Sequence, residues 1–153
     1  KIYTDKNIWK AKARKVYVTI ENLTLLKASS GSNVKSESVI NTNEIYIDAS
    51  SGASIDIEVV AKSAVTEASS GSDVKIKGTT INHTARASSG SSINAYKLKS
   101  TNANASASSG ASIHIYASKN MDAKASSGGV IDYTGNPTKI NKEASSGGSI
   151  SIN

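Results

Sequence analysis

Ala107-Ser-Ser-Gly-Ala-Ser-Ile-His-Ile115 is the stretch that decides the fold, because its first four residues recur along the whole chain. Ala-Ser-Ser-Gly occurs seven times in 153 residues, at spacings of 21, 19, 19, 20, 18 and 19 residues. So narrow a period is typical of a repeat architecture, in which each repeat packs on its neighbours. The motif glycines, predicted to be structural corners, are Gly31, Gly52, Gly71, Gly90, Gly110, Gly128 and Gly147.

The residues on both sides of the motif alternate in polarity. The third residue after each glycine is always Val or Ile, and the first is always Ser, Ala or Gly. A second alternating run leads into each alanine, as with Ile45 and Ile47. Alternation with a period of two indicates a strand with one buried face. Each repeat therefore predicts two strands joined by a Ser-Ser-Gly corner, where glycine accepts a positive φ. A looser second corner, as at Gly78-Thr-Thr80 and Gly135-Asn-Pro137, absorbs the variation in length.

Two short strands cannot bury their apolar faces alone, but stacked repeats can. Each strand would pair with its equivalent in the next coil, in parallel and about 4.8 Å away. The predicted fold is an all-β, right-handed parallel β-helix of about seven coils of 18–21 residues. Residues 1–153 would form one domain, with irregular N-terminal strands or a cap over residues 1–27 and repeated coils over residues 28–153. The alanine columns predict a thin interior, which Ala87→Leu would overpack.

The net charge of +6 is concentrated at one end of the chain. Residues 1–16 hold six basic residues and one acidic residue, and Lys10, Lys12 and Arg14 form a candidate basic patch. An acidic partner could bind there. The competing interpretation is a solvated strand face, because these residues alternate with Trp9 and small apolar side chains. Trp9 alone is not the aromatic interleaving that stacks successive bases, so no nucleic-acid partner is expected.

Few residues have the chemistry of a catalytic or metal site. The chain has no Cys, and its two histidines are His83 and His114. His114 should lie beside Asp132 in the next coil, but a third group would be needed for catalysis or metal binding. Glu37 and Glu58 share one column, and paired carboxylates can hydrolyse glycosides, yet no cleft is indicated there. We therefore expect no enzyme, no metal and no cofactor.

Two tyrosines are the preferred binding residues on sequence grounds. Tyr96 and Tyr116 both lie six residues after a motif glycine, so they should stack on the outside of adjacent coils. Exposed aromatic rings on a flat sheet can contact sugar rings. The alternative is an ordinary cross-strand aromatic pair with a purely structural role.

The sequence resembles the auto-transporter adhesin family, also called the head GIN domain. The resemblance lies in Lys15-Val-Tyr-Val-Thr-Ile20, in Leu23 to Ser30, in the serial Ser-Gly corners, in Gly128-Gly-Val-Ile-Asp-Tyr-Thr-Gly-Asn-Pro137 and in Ser145-Ser-Gly-Gly-Ser-Ile150. It implies a right-handed parallel β-helix at the bacterial envelope or surface, with an adhesive role and no defined catalytic residues. Family domains usually begin with further strands before the segment that Lys1-Ile-Tyr3 matches, so an N-terminal part of the domain is expected to be missing.

Three functions are open at this stage. The first is a non-catalytic adhesin on the surface of a Gram-negative bacterium, which binds a glycan or an extracellular-matrix ligand through outward ladders. The second is a structural protein, whose first coil pairs with another copy or a partner chain and so builds oligomers or fibres. The third and weakest is a polysaccharide-active enzyme, which fold analogy alone favours. No apolar run is long enough to span a bilayer.

Overall fold

A computed structural model of the chain describes residues 15–153. The basic patch of Lys10, Lys12 and Arg14 lies outside the described residues and stays a prediction. The described part contains twelve strands and no helix. They are β1 Leu25–Ala28, β2 Asn33–Lys35, β3 Ile40–Ala49, β4 Ser54–Ala68, β5 Asp73–Ala87, β6 Ser92–Ala95, β7 Leu98–Ala107, β8 Ser112–Tyr116, β9 Asn120–Ala125, β10 Val130–Thr134, β11 Lys139–Ala144 and β12 Ser149–Ile152.

Every strand pairs in parallel with its equivalent in a neighbouring repeat. In one column Ile55 pairs with Val74, Val74 with Ile93, and Ile93 with Ile113. The pairing runs through all twelve strands as one continuous ladder. The predicted parallel β-solenoid of about seven coils is therefore confirmed, while its handedness stays a prediction. We call the strands that follow each motif glycine the front face, and those that lead into each motif alanine the back face.

The strand count per coil differs from the prediction in two coils. Two strands were expected in each repeat, but β4 and β5 each run unbroken for 15 residues. The reason is that parallel pairing continues from one face to the other: Val59 pairs with Gly78 and Val60 with Thr79. Gly78, with a φ of 116°, supplies the bend inside β5 without ending the ladder.

The core consists of the inward columns of both faces. The predicted inward residues Ile45 and Ile47, and the aliphatic column from Ile55 to Ile131, are buried. Alanines fill the columns beside the corners and let the two faces approach closely. Ala49, Ala87 and Ala107 are all at most 3% exposed. The interior is thin, as the composition predicted, so most of its stabilisation comes from many small contacts.

Each Ser-Ser-Gly corner, which we call the tight corner, holds two residues in the left-handed conformation. The sequence predicted a positive φ only for the glycine. The second serine of every motif has a φ between 48° and 57°, and the glycine after it has a φ between 67° and 76°. The next residue closes the turn by donating to the first serine, as Ser91 N–H does to the Ser88 carbonyl at 3.2 Å. Positive φ at both central residues is the geometry of a type I′ turn.

Residues 16–24 differ from the predicted irregular N-terminal strands. Among the described residues the first strand begins at Leu25, and residues 16–24 form no strand. Alternating apolar residues predicted a strand here, but a strand needs a paired neighbour. Within residues 15–153 the end of the segment has one, because the Thr24 carbonyl accepts from the Tyr46 N–H at 2.8 Å, whereas the residues before it belong to no sheet. Val16, Val18 and Ile20 are more than half exposed. Within residues 15–153 no helix has the length and apolar character that crossing a membrane would require.

Candidate functional site

The front face carries a hydrogen-bonded cluster around His114. The sequence placed His114 beside Asp132, and the two are register partners, with Nδ1 3.4 Å from Oδ2. The same Nδ1 lies 3.2 Å from the Tyr96 hydroxyl, which also accepts a hydrogen bond from the Asn153 amide at 3.1 Å. Ser151 donates to the other oxygen of Asp132. The cluster links side chains from four coils, and each of these side chains already has a hydrogen-bond partner within the cluster.

Tyr96 and Tyr116 do not form the stacked pair that their spacing predicted. The aromatic contact found in residues 15–153 is between Tyr96 and His114, whose ring centroids are 5.0 Å apart. The Tyr116 ring is instead covered by the Lys99 ammonium, 3.9 Å from its centroid. The cause is local: β6 ends at Ala95, so Tyr96 starts a turn and leaves the strand plane. Both rings are half-buried, and their role in ligand binding stays a prediction.

The back face carries a groove with a volume of about 390 Å³. Two columns of outward side chains form its walls. The residues at the inward positions between these columns form its floor: His83, Ala103 and Met121. Asn82, Asn102 and Asn120 pair in register along the first wall. The complete walls are Asn82, Asn102, Asn120 and Lys139 on one side, and Thr84, Asn104, Asp122 and Asn141 on the other. We call this the amide groove.

The amides of the first wall are joined head to tail. Asn102 Nδ2 donates to Asn82 Oδ1 at 2.8 Å, and Asn120 Nδ2 donates to Asn102 Oδ1 at 2.6 Å. On the second wall, Asn141 Nδ2 donates to Asp122 Oδ2 at 3.3 Å. An amide has two N–H groups and two acceptor lone pairs. Each ladder bond uses one donor and one acceptor, so every amide of this wall keeps spare donors or acceptors beside the groove.

The asparagine column was missed as a site, although the sequence contains a signal for it. Asn82, Asn102 and Asn120 each lie five residues before their motif alanine. A side chain at a constant offset in successive repeats forms a column in the solenoid. Recurrence of one polar residue type at such an offset would therefore have indicated the groove.

His83 lies inside the fold, beneath the amide groove. It is 1% exposed, and its Nε2 lies 3.2 Å from the Thr66 hydroxyl. Its Nδ1 has no hydrogen-bond partner among the described residues. Burial lowers the pKa of His83 from 6.5 to about 4. The ring is therefore neutral at pH 7, and its role is that of a buried core residue.

An ionic column borders the back face next to the tight corners. Arg86 pairs with Glu67 at 2.9 Å and Lys124 with Glu143 at 3.0 Å. Glu67 also accepts a hydrogen bond from the Tyr46 hydroxyl, which raises the pKa of Tyr46 to about 12. These pairs are solvent-exposed, so they stabilise the fold only slightly, and no charge in them is free to hold a ligand.

No catalytic arrangement is found in residues 15–153. The carboxylate of Glu58, one of the two glutamates considered for glycoside hydrolysis, forms an ion pair with Lys77 at 3.2 Å. Ser151 bonds to Asp132 and not to His114, so no serine is activated by a base. No group of three or more His, Cys, Asp or Glu side chains in this part of the chain could hold a metal ion.

The chain belongs to the family described as "Putative auto-transporter adhesin, head GIN domain", whose profile matches residues 1–137. The family description names an adhesin, which suggests a bacterial cell-surface location. No protein with a curated description is significantly similar to the chain.

Two solved structures have the same fold. One is a "putative adhesin" from Bacteroides fragilis, with a TM-score of 0.73, 22% identity, and coverage of 79% of this chain and 56% of that one. The other is a "Putative lipid binding protein" from Parabacteroides distasonis, with a TM-score of 0.82, 20% identity, and coverage of 86% and 54%. The chain thus spans about half the length of these two proteins.

Proposed function

We propose that the chain is a non-catalytic binding module on the outer surface of a Gram-negative bacterium, where it attaches to glycan or matrix ligands. The amide groove is the observation that carries the proposal. It is concave, it crosses successive coils, and its walls offer fixed amide donors and acceptors. Such groups match the hydroxyl and acetamido groups of sugars, each of which both donates and accepts hydrogen bonds.

A panel of immobilised glycans and extracellular-matrix proteins tests this function. Saturable binding that persists at physiological salt supports it, because the groove recognises polar groups and not net charge. Absence of saturable binding to every member, in a sample shown to be folded, would contradict it. Lipid vesicles belong on the panel because one structural neighbour is named a lipid-binding protein. We expect no vesicle binding, since polar side chains line the groove.

Two variants show, in the same assay, which face of the solenoid binds the ligand. An Asn102→Ala, Asn104→Ala variant removes one amide from each wall of the groove. A Tyr96→Ser, Tyr116→Ser variant removes the aromatic rings of the front face. The groove variant should lose binding and keep its melting temperature, and the tyrosine variant should bind normally. The reverse pattern would move the site to Tyr96 and Tyr116, as the sequence first suggested.

End-to-end assembly is the competing function, and the last coil argues against it. Lys142 occupies the inward column, in register with the buried Ala123. Its ammonium lies over the Tyr133 ring, 4.6 Å from the centroid. A further coil stacked here would have to bury this charge, and inward-pointing charges are a known device against edge-to-edge pairing. Light scattering should show a monomer at high concentration; concentration-dependent growth would favour assembly.

A further inference from the structure

The amide groove has a direction, which limits the ligands that fit it. Its walls are formed by residues 82–84, 102–104, 120–122 and 139–141, which lie on four successive coils. Each wall column is perpendicular to the strands, so the groove runs along the solenoid axis. A ligand that fills it must therefore be extended, and it meets a pair of polar side chains at every coil.

The spacing of the coils favours a polysaccharide over a peptide. Equivalent groups recur along the groove at the strand spacing of about 4.8 Å. One pyranose in an extended, equatorially linked chain advances by nearly the same distance, and adjacent sugars turn over, so equivalent sugar groups return at every second coil. An extended peptide advances about 3.3 Å per residue. Its groups on one side recur at about twice that distance and fall out of step with the coils.

The charges of the groove favour an uncharged ligand. Asp122 and Lys139 are the charged side chains of the two walls, and they offset each other. Asn82, Asn102 and Asn120 hold one another in place through their ladder bonds, so their spare donors and acceptors are fixed before a ligand arrives. Neutral sugar hydroxyls, spaced in register with these amides, would complete their hydrogen bonding.

We propose that the amide groove binds a linear, uncharged polysaccharide of equatorially linked pyranoses, which lies along the solenoid axis with one sugar on each coil. The four coils of the groove define a site for about four sugars. This inference rests on the proposed function and names the ligand class and orientation of the same site. An extended peptide in the same groove is the alternative that the experiment must distinguish.

Calorimetric titration with β-1,4-linked cello- and chito-oligosaccharides of two to six sugars tests the inference. Affinity should rise with length up to about four sugars and then level off. Malto-oligosaccharides of the same lengths are the matched control, because their axial linkage makes the chain coil. They should bind at least about tenfold more weakly, since fewer hydrogen bonds can form at once.

Matched variants tie the titration to the groove. Asn102→Ala should weaken oligosaccharide binding about tenfold. Asn94→Ala removes an exposed asparagine from the front face and should leave binding unchanged. Rescue by Asn102→Gln, which restores the amide on a longer side chain, would separate hydrogen bonding from a folding defect.

Several outcomes overturn the inference, and they are distinguishable from failure of the proposed function. Equal affinity for malto-oligosaccharides, no dependence on length, or insensitivity to Asn102→Ala would each overturn it. So would an extended peptide that competes for the groove with higher affinity. If the chain still binds other members of the glycan and matrix panel, the proposed function stands. If no member of the panel binds, the proposed function itself has failed.

Discussion

The two corners of each coil differ in how strictly the sequence repeats, and hydrogen bonding accounts for the difference. At the tight corner, each of the first six motif glycines donates its N–H to the carbonyl of the left-handed serine in the next coil, at 3.0–3.2 Å. Gly71 donates to Ser89 in this way, and Gly90 to Ser109. The hydrogen-bond ladder between coils thus continues through the turn. This requires the serine carbonyl to point along the solenoid axis, and the positive φ of the serine allows that direction.

The loose corner has no common backbone geometry. β4 and β5 bend through it without a break, whereas other coils turn at irregular segments such as Tyr96-Lys97. Length differences among the repeats are confined to this side. The tight corner therefore maintains the stacking of the coils, while the loose corner is free to vary. The amide groove lies directly after the loose corner, where variation costs the fold least.

The largest expected effect separates a glycine at the loose corner from one at the tight corner. A Cβ at Gly78 would lie 2.0 Å from the Val59 carbonyl oxygen, whereas a Cβ at Gly90 would meet nothing within 4 Å. Gly78→Ala should destabilise the fold by about 3 kcal/mol or more, through a backbone clash. Gly90→Ala should cost about 1–2 kcal/mol, for the left-handed φ alone. Urea denaturation measures both, and a costlier Gly90→Ala would invalidate this account of the corners.

His83, next to the loose corner, makes stability depend on pH. Its pKa is about 4 in the folded chain and near 6.5 when unfolded, so between these values the unfolded state binds more protons. Stability should fall as pH falls through this window, by about 3 kcal/mol in total. His83→Met introduces the residue type found at Met121 in the same column. It should remove the loss of stability between pH 6.5 and pH 4 that His83 causes. Urea midpoints at pH 7 and pH 5 measure it; equal pH dependence in both proteins would refute the assignment.

Ala87 tests how closely the faces approach beside the tight corner. It is 3% exposed and pairs with Ala68 and Ala107, so Ala87→Leu should overpack the coil and cost about 1–3 kcal/mol. Ala144 occupies the same column in the last coil but is exposed, which makes Ala144→Leu the matched control. Thermal melting should separate the two, and an unchanged melt for Ala87→Leu would show that the column is not packed.

The smallest expected effect concerns the left-handed serine of the tight corner. Ser109 has a φ of 51°, a conformation that asparagine tolerates better than serine does. Ser109→Asn should therefore stabilise the fold slightly, by about 0.5 kcal/mol, because the exposed side chain meets no core residue. Ser108→Asn, one residue earlier, is the control and should bring no gain. Destabilisation by Ser109→Asn would mean that the serine side chain has a specific role at the corner.

Sequence reasoning reached the fold because the fold is encoded in local, repeated patterns. The alternation around Ile55 and Ile113 fixed which side chains point inward, and the motif spacing fixed the parallel register. It placed His114 beside Asp132 for the same reason. It did not find the left-handed serines, because serine is uncommon at positive φ and only the inter-coil hydrogen bonds explain it here.

The amide groove was harder to predict than the fold, because a groove depends on how outward side chains are arranged on the folded surface. Tyr96 has the right column but leaves the strand plane at the loose corner, and Tyr116 is covered by Lys99. Asn102 appeared as one more outward polar residue until the structure joined it to Asn82 and Asn120. A repeat sequence shows which residues share a column, but it does not show how a face of the solenoid curves.

The most direct test of the central claim is to locate the ligand on the protein by NMR. In a titration with a four-sugar cello-oligosaccharide, the side-chain amide signals of Asn82, Asn102 and Asn120 should shift together, with the backbone signals of residues 82–84, 102–104, 120–122 and 139–141. The front face should not respond. Shifts centred on Tyr96 and Tyr116, with the asparagine amides unchanged, would contradict the account.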